Sequence, residues 1–197
     1  MKLFTKKEWI AVFIILALVA VASFFNFRTS LMRARDAQRV ADLGTLVDAL
    51  NTYAGDFGFY PQASSDGEIV ACKKEGAKVF KGMKIKDFLA ALAPCEWGKD
   101  SLSDITDATF PAYLKNLPKD PKSATGYSFR YLSNGSRFQL YTALETSDSD
   151  EFRPDIVKRT LACGNKICSA GRASGATPLD RSIDQYEQEL LQKQKSM

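Results

Sequence analysis

The chain has 197 residues, with 27 Lys and Arg against 23 Asp and Glu, four cysteines and no histidine. A net charge of +4 is too small to announce a nucleic-acid binder by itself. Without histidine the commonest general base and metal ligand are missing, which excludes hydrolase triads, His-bound zinc and the helical zinc-protease motif; no Gly-rich phosphate loop occurs either, so the composition argues against an enzyme.

Residues 1–8 form a short cytoplasmic or leader segment, with Lys2, Lys6 and Lys7 placed as the positive-inside rule expects of a cytoplasmic flank. Residues 9–27 contain no charged side chain, and at about 1.5 Å per residue they span the ~30 Å hydrocarbon core of a bilayer. Ala20-Val21-Ala22 before Ser23 also fits a secretory signal with a small-residue cleavage site. The length of the run and its unbroken continuation into a helical pattern favour a retained transmembrane helix. Arg28, Arg33, Arg35 and Arg39 follow the run, so charge counting leaves the orientation open. The cysteines favour a C-terminal domain outside the cytoplasm.

Residues 28–55 read as an amphipathic continuation of the same helix, with Val40, Leu43, Val47, Leu50 and Ala54 at steps of three and four. Gly44 inside this stretch costs about 1 kcal/mol relative to Ala. The expected end is Gly55, followed by Gly58 and Pro61. About 170 residues beyond the apolar run suffice for one domain with one core.

Residues 56–126 lack sustained periodicity. Ile85, Phe88, Leu89 and Leu92 mark a short helix stopped by Pro94. Lys73, Lys74, Lys78, Lys81, Lys84 and Lys86 cluster with Glu75 the one acid among them. Such a run suits contact with phosphate backbones or an anionic polymer, screened by salt; a solvated loop is the competing reading, because aromatic residues are not interleaved closely enough for a base-stacking platform.

Residues 127–168 carry the sheet signal. Candidate strands over 127–132 and 137–144 flank Ser133-Asn134-Gly135-Ser136, where Asn-Gly supplies the positive φ angles of a tight hairpin. Alternation puts Tyr127, Phe129 and Tyr131 on one face of the first, and Phe138, Leu140, Thr142 and Leu144 on one face of the second. A third strand over 156–161 would make an α+β fold: a long N-terminal helix packed on a small antiparallel sheet. Asp148, Asp150, Glu151 and Asp155 form an oxygen-rich loop that suits calcium, with a solvated turn as the alternative. Residues 169–197 form a tail, partly disordered, in which Ile183, Tyr186 and Leu190 mark a short helix.

Four cysteines beyond the apolar run fit two disulfides, and of three pairings Cys72–Cys95 with Cys163–Cys168 closes two local loops. A four-thiolate zinc site is the rival, but the usual CxxC knuckles are missing.

Phe4-Thr5-Lys6-Lys7-Glu8 before an apolar run resembles the start of a mature type IV pilin or type II secretion pseudopilin. Ala34-Arg35-Asp36-Ala37-Gln38-Arg39, then residues 43–53 and Gly58-Phe59-Tyr60-Pro61, are similar to the helix and helix exit of the major pseudopilins. Leu117-Pro118-Lys119-Asp120-Pro121 and Tyr127-Ser128-Phe129-Arg130-Tyr131 look like that family's entry into its sheet. Leu3 stands where the family's prepilin peptidase takes Gly. The resemblance implies a pilin-like, non-enzymatic subunit held in the cell membrane before assembly, then a homo-oligomer in a helical pilus-like or pseudopilus fibre outside the cytoplasm. It also implies dependence on a peptidase and on pilus or secretion assembly machinery, and a Glu8 that pairs with the Phe4 amine of a neighbouring copy. Secretion pseudopilins often carry calcium in a comparable loop. An alternative reading is a single-span envelope protein whose lysine loop binds DNA or an anionic surface polymer.

Overall fold

A computed structural model describes residues 5–196. Its dominant element is α1 (Lys6–Phe57), one helix of 52 residues and so about 78 Å long. Thr5 caps its start, and the Thr5 backbone N–H donates to Glu8 Oε2 at 2.6 Å while Glu8 N–H donates to Thr5 Oγ1 at 3.4 Å. This reciprocal box satisfies two otherwise orphaned helix donors. The helix passes through Gly55 and runs two residues beyond the expected end, to be capped by Gly58, which adopts φ +78° and whose N–H reaches Ala54 O at 2.8 Å.

The described side chains of residues 9–27 are exposed, whereas the second half of α1 is covered on one face. That face is Leu43, Leu46, Ala49, Leu50 and Tyr53, all buried. Val40, Val47 and Ala54, expected on the stripe, are only partly buried. The true stripe is rotated slightly and runs back through Arg39.

The first sheet is antiparallel and formed by β1 (Gln62–Ala63), β2 (Ile69–Lys73) and β3 (Leu92–Pro94), so the region after the helix is less irregular than its sequence suggests. Between β2 and β3 a long loop carries α2 (Ile85–Ala90), and Leu92 belongs to the strand rather than to the helix. Cys72 bonds to Cys95 at the base of this loop, with the Lys74 N–H donating to Ala91 O at 2.9 Å.

The second sheet consists of β4 (Arg130–Ser133), β5 (Phe138–Thr142) and, beyond the short helix α3 (Pro154–Val157) and the two-residue strands β6 (Ala162–Cys163) and β7 (Lys166–Ile167), β8 (Ala170–Ala173). Its order is β4-β5-β8, all antiparallel. The sequence pattern places a third strand over residues 156–161; the structure puts α3 and turns there and takes the third strand from Ala-Gly-Arg-Ala at 170–173. The reason is steric. A Cβ at Gly171 would lie 2.7 Å from Leu140 O and 2.8 Å from the Tyr141 ring, so the strand beside β5 needs glycine at that position, a residue of poor strand propensity.

All five residues of β5 are buried. Phe138 and Leu140 join Phe129 and Tyr131 against the α1 stripe, while Tyr141 packs on the other side with Ala143, Ile156, Cys163 and Cys168. Cys163 and Cys168 are disulfide-bonded. The β4–β5 turn is longer than a two-residue hairpin: Gly135 has φ +86°, whereas Asn134 uses its side chain to accept from the Ser136 and Arg137 N–H groups at 3.1 and 3.0 Å. At the outer edge of β4, the Tyr131 N–H donates to Gly67 O at 2.8 Å. The turn between β1 and β2 thus covers part of an open sheet edge.

The last thirty residues hold the far side of the second sheet. Gln139 Nε2 donates to Arg181 O at 2.7 Å and Tyr141 Oη to Leu179 O at 3.0 Å. Helix α4 (Ile183–Lys195) then starts from Ser182 in a second capping box and buries Ile183. The expected partly disordered tail is therefore a strand, a strap and a helix.

A Cβ added at Gly44 meets nothing within 4 Å. Gly44→Ala should raise stability by about 0.5–1 kcal/mol by removing backbone freedom from the unfolded chain. The measurement is the urea midpoint of the full chain in detergent, at unchanged slope. A lower midpoint would show that this face is packed in solution.

Candidate functional site

Three features of the molecule bear charge or apolar surface in a way the core does not require. They lie at the start of α1, where its covered half begins, and at its far end.

At the start stand Glu8 and the exposed apolar half of the helix. Glu8 Oε2 is held by its own chain, through the Thr5 N–H and the Thr5 hydroxyl at 2.6 and 2.9 Å. Phe4, the partner expected for Glu8 across subunits, lies outside the described residues. From Lys6 the helix is long and apolar enough to cross a membrane.

Where coverage begins, Arg39 is fully buried on the line of the apolar stripe. An isolated buried guanidinium is costly, and it persists here because its donors are met. Nε and Nη2 donate to the two oxygens of Asp120 at 2.7 and 2.9 Å, and Nη1 donates to Asp36 Oδ1 at 2.7 Å and Glu145 Oε1 at 2.9 Å. Arg35 grips both oxygens of Glu145 at 2.7 Å, and Lys122 lies 3.4 Å from the same carboxylate. Asp36 in turn accepts from the backbone N–H groups of Glu145 and Thr146 at 2.8 and 2.9 Å. The Arg39 guanidinium sits 4.7 Å above the Tyr127 ring. Arg35, Arg39 and Lys122 balance Asp36, Asp120 and Glu145, so the cluster is neutral.

Burial alone would raise the Glu145 carboxyl, but hydrogen bonds from Arg35 and Arg39 outweigh it and hold the group at about 2 against an ordinary 4.5. Burial likewise works against the charge of Arg39, and the carboxylates of Asp120 and Glu145 more than reverse it. Asp42, one turn on, is raised by burial and by the nearby charge of Asp120. The sequence signal for this cluster was a charge in phase with the apolar stripe: residues 39, 43, 46, 50 and 53 share one helix face. Leu117-Pro118-Lys119-Asp120-Pro121 delivers Asp120 to that face.

The four carboxylates proposed for calcium do not converge. Asp148 pairs with Arg33 at 2.6 Å, Glu151 with Arg172 at 2.7 Å and Asp155 with Arg153 at 2.7 Å, while Asp150 is exposed. Among the described residues no group of three or more metal-ligating side chains is gathered. Calcium would have to displace arginines to assemble one.

At the far end, Lys73, Lys74, Lys78, Lys81, Lys84 and Lys86 are all exposed on or beside the disulfide-closed loop. That loop is seated by Phe88, whose ring stacks on Phe57 at 5.3 Å.

No family model, curated protein or solved structure matches the chain.

Removing the shared cation should unfold the joint. Arg39→Met leaves three carboxylates facing one another and should cost about 3–5 kcal/mol, read from denaturant unfolding of the full chain in detergent. The depressed carboxyl of Glu145 makes its contribution complete above pH 4.5 and lost as pH falls towards about 2. Glu145→Gln should therefore be less stable than wild type at neutral pH and show a shallower loss of stability across that acid range; parallel curves for the two proteins would remove Glu145 from the account.

With Arg33, Arg172 and Arg153 in place, calcium and magnesium at equal millimolar concentration should give the same melting temperature. A rise specific to calcium would show that the acidic loop rearranges to bind it.

Proposed function

We propose that this chain is a membrane-anchored structural subunit of a helical fibre, of the type IV pilus-like or type II secretion pseudopilus kind. The observation that carries the reading is the continuity of α1. One uninterrupted helix is bare and apolar in its first half and sheathed by a small α+β head in its second. A bare apolar rod has no stable place in water; it is covered either by lipid or by other rods of its kind. Both covers serve the same subunit in turn, lipid before assembly and neighbouring helices after it.

Two disulfides, which suit an oxidising compartment, support a head that lies outside the cytoplasm in this reading. Its role is mechanical rather than chemical: the sheet and the ionic cluster hold α1 firmly enough for the bare half to project as a lever. The proposal includes cleavage before Phe4 and pairing of Glu8 with the freed amine of a neighbouring copy, handled by a prepilin peptidase and an assembly machinery.

The capping box sharpens the test. Gln keeps the cap's hydrogen-bonding shape without the charge, whereas Ala loses both. The mature N-terminus should be Phe4, and Glu8→Gln and Glu8→Ala should both insert into the membrane fraction yet be depleted from sheared fibres. If Glu8→Gln assembles like wild type, Glu8 serves only its own helix. A mature N-terminus at Ser23 would remove the bare half and with it the fibre reading.

A further inference from the structure

We propose that the lysine-bearing loop at the far end of α1 is a docking surface for an anionic phospholipid bilayer other than the one that holds residues 9–27. The proposal rests on the anchoring of that span and not on the fibre.

Over residues 73–87 six lysines face Glu75 and Asp87, a surplus of +4 that equals the net charge of the whole chain. None of the six makes an ion pair among the described residues, whereas most cations that do are arginines: Arg33, Arg35, Arg39, Arg137, Arg153, Arg172 and Arg181. The arginines are committed to internal structure. The lysines of this loop are left to solvent, apart from the attraction between Lys81 and nearby Asp107.

Apolar surface accompanies the charge. Phe80 is 61% exposed and Ile85 57%, and Leu89 is exposed on the same face of α2 as Ile85, one turn on. Phe88, at the i+3 position beside Ile85, is turned inward and buried against Phe57 and Phe59. Together with Met83, Phe80 and Ile85 line a shallow cavity beside the end of α1. A single-stranded nucleic acid would use the lysines and stack on Phe80, but would leave the aliphatic pair Ile85 and Leu89 in water. A lipid interface takes both: the apolar side chains enter the headgroup boundary, and long lysine stems keep their ammonium groups among the phosphates.

Position decides which bilayer. The loop packs at Phe57, and thirty helical residues separate Phe57 from the end of the apolar run, about 45 Å along a straight helix. The loop is held to that end by β2 and β3 and by the Cys72–Cys95 disulfide. It therefore points away from the membrane in which α1 is anchored.

The test uses the full chain held in phosphatidylcholine nanodiscs and mixed with separate vesicles, scored by flotation. Nanodisc-held protein should float with vesicles containing phosphatidylglycerol and stay down with pure phosphatidylcholine, and added salt should weaken the association. Replacing Lys78, Lys81 and Lys84 by Gln should lower binding about fivefold for each lysine. The Phe80→Ser, Ile85→Ser double variant should weaken binding at every salt concentration at an unchanged melting temperature, since both side chains are more than half exposed. Equal binding to both vesicle types, no binding to either, or wild-type binding by the lysine variant overturns the proposal. Displacement from the anionic vesicles by a single-stranded oligonucleotide at equal phosphate concentration also overturns it, in favour of a polymer ligand.

Discussion

The molecule depends on the buried guanidinium of Arg39. A stripe of leucines alone would let the head slide along α1, because residues one turn apart present similar apolar surfaces to the sheet. Arg39 prevents this by demanding three carboxylates from three separate segments: Asp36 from the helix itself, Asp120 from the connection between β3 and β4, and Glu145 from the exit of β5. Only one register satisfies all of them. The cluster stands where α1 passes from bare to covered, so the same interaction that sets the register also sets how much of the rod projects. Its value lies in specificity more than in net stability, since an apolar replacement of the whole set can be as stable as the charges.

Much of this was legible in the sequence, and what was missed was missed for identifiable reasons. The long helix follows from an apolar run that meets an amphipathic pattern without Pro, and the residues that pack on it, Phe129, Tyr131, Phe138 and Leu140, follow from alternation. The stripe read from periodicity leans towards Val40 and Val47 because only apolar residues count towards it, and Arg39, buried on that face, adds no apolar signal. Leu46 and Tyr53 were lost with it. The larger aliphatic residues lie at 156–161, but Gly171 must pass close to the Tyr141 ring, and Ala-Gly-Arg-Ala carries no strand-propensity signal. Asn134-Gly135 did mark the turn, though Asn134 contributes through its side chain rather than through a positive φ.

The acidic loop shows the same blindness from the other side. Four carboxylates within eight residues suggest a divalent cation when only the local segment is in view. Their partners Arg33 and Arg172 come from positions more than a hundred residues before Asp148 and about twenty after Glu151, so no local pattern discloses them. Arginine, fixed by the fold, pairs with three of the four carboxylates and ties the loop to both α1 and β8. The cysteines were easier because their partners are near in sequence, 23 and 5 residues apart.

In the fibre reading the bare half of α1 poses an energetic question that the hydrophobic effect does not answer. Residues 9–27 are already out of water while they lie in a bilayer, so moving them against other helices removes no further apolar surface from water. Burial therefore cannot drive the transfer by itself. What remains is closer packing between side chains, polar pairing inside a low-dielectric bundle, and contact between heads. Within the membrane-proximal stretch the single carboxylate is Glu8, and the structure shows its charge already engaged by Thr5. Pairing with a neighbour's amine must then either replace that cap or share the carboxylate with it. Sharing is feasible because both bonds from Thr5 use the same oxygen, Oε2, which leaves Oε1 without a partner in the chain's own cap. A side chain that caps its own helix with one oxygen and presents the other has its orientation fixed before a neighbour arrives, and pre-set orientation lowers the entropy lost on pairing.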